Sequence, residues 1–387
     1  MKIVVVTSRF PFPLDKGDKL RAYHQLFQLS KENEIHLIAV SDRKVEVNQI
    51  EELKKFCKSV RVFQLKKWKI AINLFFGIFS NKPFQVKYFY QRTIHKKIKA
   101  RIDSLQPDHI YCQLIRCVSY VKSEHKYKKT LDYMDAFSKG IERRTKSSGI
   151  KKPLFKIESF RLVRYENLAF EFFDKHCIIS EQDRAFIFHE KKQNIHIISN
   201  GIDSTYFKPI PTQKKYDLVF VGNLSYAPNI AAAKYIVEEL LPELKSVHPN
   251  IKILICGANP THQVKKLKNK HTEVKGWIAD IREAYLCSKI FIAPMEIGTG
   301  LQNKLLEAMS LELPCITSKL VNTALMAKSG EHLLVANNKE DYIKCINQLI
   351  ESDDLRSTIG PRARLFVIDK FNWETTSKKL NEIMRST

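Results

Sequence analysis

The sequence predicts an α/β protein with two parallel-sheet domains in tandem. Its 387 residues exceed what one hydrophobic core usually serves, and 44% of them are hydrophobic, as in folded globular proteins. Short β-branched strands alternate with segments of helical spacing, and this alternation occurs twice along the chain. A stretch with two prolines, Pro209-Ile210-Pro211-Thr212, separates the two series and is the expected domain boundary.

The first series opens with a β-branched run at residues 3–7, helical spacing at 20–29 and a second strand at 35–41. Parallel strands need covering crossover helices, so this pattern predicts a Rossmann-like domain over residues 1–208. The remaining strands of this series are expected at 109–112, 130–132, 177–180 and 195–199.

The second series predicts another Rossmann-like domain, over residues 209–370. Its strands are expected at 216–222, 251–257, 290–293 and 314–317. The last segment, 371–387, is expected to be a helix that returns to the first domain. Open parallel sheets bind ligands at the carboxyl ends of their strands, so the active site is expected in a cleft between the two domains.

The net charge of +24 comes mainly from the first half of the chain. Residues 1–204 hold 40 Lys and Arg against 22 Asp and Glu, whereas residues 205–387 hold 25 against 19. Residues 54–101 contain 14 basic side chains and no acid, interleaved with aromatic residues. This stretch predicts contact with an anionic membrane surface; the alternative is that its apolar side chains pack inside the first domain.

The cysteines and the apolar runs predict a cytoplasmic protein, peripheral on the inner face of the cell membrane. Eight cysteines are scattered without a Cys-x-x-Cys pair, which is typical of thiols in a reducing compartment, and neither a metal site nor a cofactor is expected. No run of about 18 apolar residues is present, and the first apolar run is too short for a signal peptide.

Residues 294–318 resemble the donor-site signature of family 4 (group 1) glycosyltransferases of the GT-B fold. Further similar landmarks are Asn200-Gly201-Ile202-Asp203, Phe220-Val221-Gly222-Asn223-Leu224 and Gly276-Trp277-Ile278, and Tyr226-Ala227-Pro228-Asn229 resembles bacterial exopolysaccharide and cell-surface glycan transferases. The resemblance implies two Rossmann-like domains facing each other across a cleft. It also implies metal-independent transfer of a sugar, with retention, from a nucleotide sugar to a glycan or lipid-linked acceptor.

The glycines of this signature predict a phosphate site. Gly298, Thr299 and Gly300 form a flexible loop before a helix expected at 301–311. Glycines let the backbone approach a diphosphate closely, and the positive end of the helix points at the same place. Negative charge that develops on a leaving diphosphate would be stabilised there.

Lys304 and Glu307 follow on one face of that helix, with Leu305 assigned to the same donor site. Lys304 is expected to neutralise the diphosphate. The resemblance assigns Glu307 to the ribose hydroxyls, as the second acid of the family's glutamate pair. The alternative for Lys304 and Glu307 is an i,i+3 surface salt bridge.

The sequence departs from the family pattern at two donor-site positions. The first acid of the pair would fall at Thr299, and the nearest acid is Glu296, which is a candidate catalytic contact to the donor sugar. Asn223, after Gly222, stands where the family usually has a basic residue. Both Gly222 and Asn223 are assigned to donor binding, and Lys304 is expected to substitute for the missing basic side chain.

In the first domain, Gly17 opens a helix after the first strand and is predicted to touch the donor. Asp135 follows another strand of the same sheet and is the predicted catalytic carboxylate on the acceptor side. For Asp18 and for both Asp132 and Asp135, helix capping is the alternative.

Two other functions fit part of the sequence. A basic nucleic-acid-binding protein would explain the charge but not the signature, and no nucleic acid is expected as a partner. A sugar-nucleotide epimerase of the same fold would need no acceptor, which would leave the basic aromatic stretch without a purpose.

Overall fold

The computed structural model describes residues 1–146, 152–296 and 301–386. In these residues, none of the helices has the length and apolar character needed to cross a bilayer. The strands are β1 (Lys2–Thr7), β2 (Glu34–Ser41), β3 (Ser59–Gln64), β4 (His109–Gln113), β5 (Lys128–Asp132), β6 (Lys175–Ile178), β7 (His196–Ile197), β8 (Tyr216–Val221), β9 (Ile253–Cys256), β10 (Thr272–Lys275), β11 (Ser288–Ala293), β12 (Cys315–Ser318) and β13 (Leu334–Ala336). The helices are α1 (Gly17–Leu29), α2 (Val47–Lys54), α3 (Lys67–Gly77), α4 (Phe84–Phe89), α5 (Arg92–Leu105), α6 (Val118–Val121), α7 (Phe137–Lys146), α8 (Lys152–Phe170), α9 (Glu181–Ala185), α10 (Ala227–Lys234), α11 (Leu241–Val247), α12 (His262–Lys265), α13 (Arg282–Leu286), α14 (Asn303–Ser310), α15 (Lys319–Leu325), α16 (Lys339–Glu351), α17 (Asp353–Lys370) and α18 (Trp373–Arg385).

The chain divides into two compact units. The first unit comprises residues 1–200 together with 373–387, and the second comprises 201–372. The division thus comes before Gly201 and not at residue 209, where the prolines predicted it. Two contacts explain the difference: Ile202 bridges to Asn372, and buried Phe207 accepts hydrogen bonds through its carbonyl oxygen from Ser310 and Arg364.

The first unit contains a seven-stranded parallel sheet in the order β3-β2-β1-β4-β5-β6-β7. Its central strand β1 pairs with β2 and β4, so that Val4 lies opposite both His36 and Ile110. Four successive β-branched side chains of β1, from Ile3 to Val6, are at most 1% exposed. Burial on both faces explains why this strand reads as a continuous apolar run.

The second unit contains a six-stranded parallel sheet in the order β10-β9-β8-β11-β12-β13. Counted from its own first strand this order is 3-2-1-4-5-6, the Rossmann arrangement. The strand order reverses between β8 and β11, which pair through Leu218 and Ile290. Ligands of such sheets bind where the order reverses, beyond the carboxyl ends of the two strands.

Three strands were not predicted, and all of them lie at or near a margin of a sheet: β3, β10 and β13. Apart from the buried Thr272 and Ala336, their residues are partly or fully exposed, as in the β3 sequence Ser-Val-Arg-Val-Phe-Gln. An edge strand has one neighbour and can keep polar side chains in solvent, so β3 and β10 lack the apolar run that identified the central strands. Strand β13 is apolar but only three residues long.

The C-terminal helix α18 packs on the first unit, as the sequence analysis expected of segment 371–387. Its Leu380 and Met384 belong to the same buried cluster as Ile3 and Leu26. The ring of Trp373 stacks on His24 of α1 with centroids 4.9 Å apart. Burial of these apolar side chains accounts for the attachment of the helix.

A fully buried ion pair joins α1 to the end of β5. Arg21 Nε donates to Asp132 Oδ2 at 2.6 Å, Arg21 Nη2 donates to Asp132 Oδ1 at 3.2 Å, and both side chains have no exposed surface. The hydroxyl of Tyr111 also donates to Asp132 at 2.7 Å, and Arg21 Nη1 donates to Asn200 Oδ1 at 3.0 Å. Burial alone would lower the pKa of Arg21, but the adjacent Asp132 raises it. Asp132 is therefore a structural partner of Arg21, and not a cap of the next helix.

Removing one member of this pair should be far more costly than removing both. We expect Arg21→Met to lower the free energy of unfolding by about 3–5 kcal/mol, because it leaves Asp132 buried without its cation. In Arg21→Met/Asp132→Leu the loss should be smaller than in either single variant, as measured by urea unfolding. Lys54→Met, which breaks an exposed pair with Glu51, is the control and should cost no more than about 1 kcal/mol. Additive losses in the double variant would contradict the coupling.

Candidate functional site

The described signature residues 294–296 follow β11, one of the two strands between which the order of the second sheet reverses. Helix α14 begins at Asn303 and ends at Ser310, inside the predicted 301–311. Gly298, Thr299 and Gly300 lie outside the described residues, so their assignment to the phosphates stays a prediction. The loops after β8 and β11 and the first turn of α14 surround the predicted donor site.

Lys304 is held by three side chains from neighbouring elements. Its Nζ donates to Asn229 Oδ1 at 2.7 Å, lies 3.5 Å from Met295 Sδ and sits 4.6 Å from the centre of the Phe220 ring. Burial lowers the pKa of Lys304 to about 7, against the attraction of Glu307. Its amine is therefore positioned, and near neutral pH its charge depends on its surroundings.

Two glycines allow the strand ends beside Lys304 to approach each other. A Cβ on Gly257, where φ is +143°, would lie 1.8 Å from the carbonyl oxygen of Gly222. A Cβ on Gly222 would lie 2.7 Å from Nδ2 of Asn229, which donates to the Asn223 carbonyl at 2.9 Å. No side chain fits at either position without displacing these atoms. Gly222 thus maintains the position of the amide that holds Lys304.

Glu307 has its own partner, the fully buried Tyr285 of α13. The hydroxyl of Tyr285 donates to Glu307 Oε2 at 2.8 Å and lies 3.2 Å from the Lys304 carbonyl oxygen. Burial raises the pKa of Glu307, although the bond from Tyr285 and the charge of Lys304 oppose this. Burial and the charge of Glu307 raise the pKa of Tyr285 well above its usual range, so its hydroxyl remains a donor.

Lys304 and Glu307 lie on one face of α14 as predicted, but they do not pair with each other. Among the ion pairs of residues 1–146, 152–296 and 301–386, this pair is not formed, which argues against the surface salt bridge. Each group instead contacts an uncharged hydrogen-bonding side chain. Both therefore remain able to meet the opposite charge or the hydroxyls of a ligand.

The other predicted donor residues of the second unit differ in their exposure and contacts. Asn223 is exposed, and its Oδ1 accepts hydrogen bonds from the backbone N–H and hydroxyl of Ser225. The side chain of Leu305 is buried in the core and its N–H donates to the Gln302 carbonyl, so it supports the helix. Glu296 is exposed after β11, where it raises the pKa of Tyr235 behind the larger effect of burial.

Asp135 lies in the loop after β5 in the first unit. Met134 before it has φ of +63°, a conformation that few non-glycine residues adopt, and its carbonyl accepts from the Ile179 N–H at 2.9 Å. Burial, followed by the charge of Asp183, raises the pKa of Asp135 to about 7, while Arg116 opposes the shift. Its Oδ1 is buried and has no hydrogen-bond partner among the described residues, so it does not cap a helix through that atom.

The residues around Asp135 complete a polar cluster at the carboxyl edge of the first sheet. Gly17 begins α1 beside it, since a Cβ there would lie 3.4 Å from Met134 Cε. Asp18, for which helix capping was the alternative, forms an ion pair with Arg9, with 2.5 Å between Asp18 Oδ2 and Arg9 Nη1. Arg116 lies over the rings of Phe89 and Phe137, at 5.1 Å and 4.7 Å, and burial lowers its pKa to about 10. The described residues contain no group of three or more His, Cys, Asp or Glu side chains placed to hold a metal ion.

Sequence reasoning missed Tyr285 and Arg116 as members of these two clusters. Tyr285 stands in a five-residue helix without a recognisable motif, and its contact with Glu307 spans 22 positions of sequence. Arg116 follows β4 in a short helical turn without a motif. Asn229 had a signal, because it closes the Tyr-Ala-Pro-Asn stretch, but only the structure shows its bond to Lys304.

The part of the chain that forms the second sheet and carries the candidate donor residues matches a known protein family. Residues 215–352 match the family model described as glycosyl transferases group 1. This stretch is a group 1 glycosyltransferase domain. Lys304, Glu307, Asn229 and Tyr285 all belong to it.

Curated relatives extend the similarity of this glycosyltransferase domain to the rest of the chain. An uncharacterized 44.6 kDa protein in the cps region of Klebsiella pneumoniae is 24% identical over 367 residues, which cover 89% of this chain and 90% of that protein. The UDP-Gal:alpha-D-GlcNAc-diphosphoundecaprenol alpha-1,3-galactosyltransferase of Escherichia coli is 29% identical over 188 residues, 44% of this chain and 45% of that enzyme.

The solved structures confirm the predicted fold class around the glycosyltransferase domain. Anabaena HepE in complex with UDP superposes with a TM-score of 0.71 and 14% identity, covering 100% of both chains. At this identity the likeness shows the fold. The fold is GT-B, with a Rossmann-like domain in each unit.

The bond from Tyr285 to Glu307 should stabilise the glycosyltransferase domain in a pH-dependent way. The folded pKa of Glu307 is raised above 4.5, so its burial costs nothing below that pH and more as pH rises towards the folded pKa. Removing the Tyr285 hydroxyl leaves the carboxylate with less support. We expect Tyr285→Phe to lower the free energy of unfolding by about 1–3 kcal/mol, and by more at pH 8 than at pH 5.

Urea unfolding at the two pH values measures this effect, with Glu307→Gln as the control background. An uncharged amide does not titrate, so in Glu307→Gln the cost of Tyr285→Phe should be equal at pH 5 and pH 8. A pH-dependent cost that persists in this background would show that Glu307 is not the group involved.

Proposed function

We propose that the protein transfers a sugar from a nucleotide-sugar donor, with retention at the anomeric carbon, to a glycan or lipid-linked acceptor in bacterial cell-surface polysaccharide biosynthesis. The observation that carries this proposal is the pair on α14. Lys304 and Glu307 are one helical turn apart, and each is held by a separate uncharged partner at the strand reversal of the second sheet.

The donor diphosphate would be neutralised by Lys304. Its amine is already fixed by Asn229 and lies over the face of Phe220, so little side-chain freedom is lost when an anion arrives. The phosphates of the leaving nucleotide gain negative charge as the glycosidic bond breaks, and a positioned ammonium stabilises this charge. Together with the backbone at 298–300 this supplies the electrophilic assistance, and the proposed reaction therefore needs no metal.

The ribose of the donor would be bound by Glu307. A carboxylate accepts hydrogen bonds from two neighbouring hydroxyls, and Tyr285 occupies Oε2 from the protein side. Asn223 and the exposed Glu296 are the proposed further contacts, Glu296 to the donor sugar. Leu305 and Gly222 support these groups from within the domain.

The names of the similar proteins support both the donor and the acceptor class. The Escherichia coli relative is named for a UDP-Gal donor and a diphosphoundecaprenol-linked acceptor. Anabaena HepE has been crystallised with UDP and with UDP-glucose. A capsular polysaccharide biosynthesis glycosyltransferase of Staphylococcus aureus, CapM, is 25% identical over 210 residues.

On the acceptor side we propose Asp135 as the catalytic carboxylate. Its pKa of about 7 makes it a suitable proton acceptor for a sugar hydroxyl at neutral pH. Arg116 lies near enough to lower that pKa, and Gly17 leaves room beside the loop. As the bond from the anomeric carbon to the diphosphate breaks and the nucleotide diphosphate leaves, the acceptor hydroxyl would bond to the same face of the sugar, which retains the configuration. The hydroxyl proton would pass to Asp135.

Labelled nucleotide sugars distinguish transfer from the epimerase alternative. The protein is incubated with UDP-, GDP- and ADP-sugars, with and without membrane lipid extract, after a thermal-shift screen has selected the donor. Nucleotide release that depends on the extract supports transfer. An isomerised donor without any acceptor would overturn the proposal and identify an epimerase.

The donor site can be tested by truncating its two principal side chains. We expect Lys304→Ala and Glu307→Ala each to reduce donor binding or kcat/KM at least tenfold, about 1.4 kcal/mol. The loss follows from removing the phosphate cation in one variant and the ribose acceptor in the other. Titration calorimetry with the selected nucleotide diphosphate and turnover of its sugar measure the two effects.

Lys344→Ala and Glu351→Ala on α16 are the matched controls, since both side chains are exposed. They should retain donor affinity and turnover. Ordinary activity in Lys304→Ala or Glu307→Ala would mean that the donor binds elsewhere.

The acceptor-side role of Asp135 predicts a distinct kinetic signature. A base with a pKa of about 7 is increasingly ionised from pH 6 to pH 8, so kcat should rise over this interval. We expect Asp135→Asn to reduce kcat at least tenfold, to remove this rise and to leave the donor Kd unchanged. A parallel loss of donor affinity would instead indicate a structural role.

A further inference from the structure

The first unit exposes an unusual concentration of large apolar side chains. Of the 21 that are exposed in the described residues, ten lie on α3 and the turn after it or on α8. They are Trp68, Ile72, Phe75, Phe76, Ile78, Phe79, Leu154, Ile157, Phe160 and Leu168. Together with the basic side chains of α8 we call this the α3–α8 surface. Exposed apolar side chains concentrated on two neighbouring helices in this way normally mark an interaction site.

Helix α3 has two distinct faces. Its inner face packs on the core through Ile70 and Leu74, and Asn73 Nδ2 donates to the Tyr90 carbonyl at 2.5 Å. On its outer face, Phe75 is 60% exposed, and Phe79 in the following turn is 81% exposed. Packing inside the first domain, one alternative for the basic aromatic stretch, therefore applies to the inner-face side chains. The outer-face side chains remain candidates for the other alternative, contact with a membrane surface. On the outer face, Phe75 and Phe76 contact each other and Lys69 lies over the ring of Trp68, and these aromatic side chains remain largely exposed.

Arg161 and Glu158 fix α8 against the end of α3 and the start of α4. Arg161 donates to the carbonyl oxygens of Gly77 and Ile78 at 2.9 Å and 2.8 Å. Glu158 accepts from the N–H groups of Phe84 and Gln85 at 2.8 Å and 3.1 Å. The helices thus form one rigid surface, and α8 belongs to it although it lies outside residues 54–101.

A pocket opens on this surface beside the aromatic residues. Its volume is about 460 Å³, and it is lined by Asn81, Lys156, Ile157, Phe160, Arg161 and Arg164. Three of the six lining residues are cationic and two are apolar. This lining suits a group that joins a phosphate to a hydrocarbon chain.

The charge of the surface is positive throughout. The two acids of α8, Glu158 and Glu166, are buried and accept backbone N–H groups, so the outer face of this helix carries only Lys and Arg charges. Helix α3 adds Lys67 and Lys69 and contains no acid. Aromatic tips surrounded by lysine and arginine match the interface of an anionic bilayer, where rings enter the headgroup layer and cations meet phosphates.

We propose that the α3–α8 surface docks on anionic lipid bilayers, with Phe75, Phe76 and Phe79 inserted at the interface and a headgroup phosphate seated among Lys156, Arg161 and Arg164. This docking is independent of the donor site and of the proposed reaction. Its test therefore needs no sugar, and its failure would leave the glycosyltransferase proposal standing.

Vesicle co-sedimentation tests the proposal with the full chain. The probes are phosphatidylcholine vesicles with and without roughly 30% phosphatidylglycerol, an anionic lipid that attracts basic protein surfaces. The wild type should partition at least tenfold more strongly onto the anionic vesicles, and less at high salt. Phe75→Ser/Phe79→Ser and Lys156→Glu/Arg164→Glu should each lose at least tenfold.

Two matched control variants distinguish binding through the α3–α8 surface from non-specific hydrophobic binding and from an effect of net charge. Phe188→Ser removes an aromatic side chain that is 72% exposed elsewhere in the first unit, and Lys265→Glu/Lys344→Glu changes the net charge by the same amount in the second unit. Both should bind vesicles within about twofold of the wild type. Circular dichroism melts verify that each variant is folded, and the charge pair keeps the test valid if the aromatic pair does not fold.

Several results would overturn the proposal. Equal losses in the matched variants would make the binding non-specific. Retention of anionic vesicles by both surface variants would place the contact elsewhere. A salt-sensitive shift with single-stranded RNA but no vesicle binding would mark a nucleic-acid surface, and a dimer that Phe75→Ser/Phe79→Ser converts to a monomer would mark a self-association surface.

Discussion

Parallel strand pairing is the constraint on which the candidate sites depend. Within the described residues, each named strand runs parallel to its sheet neighbours, so each connection must cross over through a covering segment. The carboxyl ends of all strands in a unit therefore meet at one edge. Asp135 follows β5 and Arg116 follows β4 at that edge of the first sheet, while Gly222 follows β8 and Glu296 follows β11 in the second. Loops that are distant in sequence are thereby brought to the same edge of a sheet.

Within the second unit, Lys304 and Glu307 are each positioned by a separate neighbouring side chain, and a close approach of two strand ends places one of these neighbours. Gly257 and Gly222 bring two strand ends together at a distance no side chain would allow, and this places Asn229 against Lys304. Tyr285 holds Glu307 from the opposite side. A lysine and a glutamate one turn apart on an exposed helix would normally pair with each other for a few tenths of a kcal/mol. Here each is held apart by an uncharged group, which leaves both available to a ligand.

The sequence predicts the central parts of this structure and misses its margins, for a physical reason in each case. The buried strands β1 and β8 show continuous apolar runs because both faces are covered, whereas β3 and β10 expose polar side chains and the apolar β13 is only three residues long. The boundary was misplaced because prolines mark a loop, while Ile202 and Phe207 decide by their contacts which unit the loop joins. Lys304 and Glu307 were accessible through a local motif. Tyr285 was not, because only the fold brings it to Glu307.

The lowered pKa of Lys304 gives its pocket a property that a permanently charged arginine would not. Burial lowers the pKa of the amine to about 7, so near neutral pH a small change in its surroundings alters its charge. An anion that settles beside it stabilises the ammonium and draws a proton from solvent, so that charge is created upon occupation. Departure of the anion would release that proton again. The Lys304 site thus need not carry a full positive charge before an anion binds. Its affinity for the anion depends on pH.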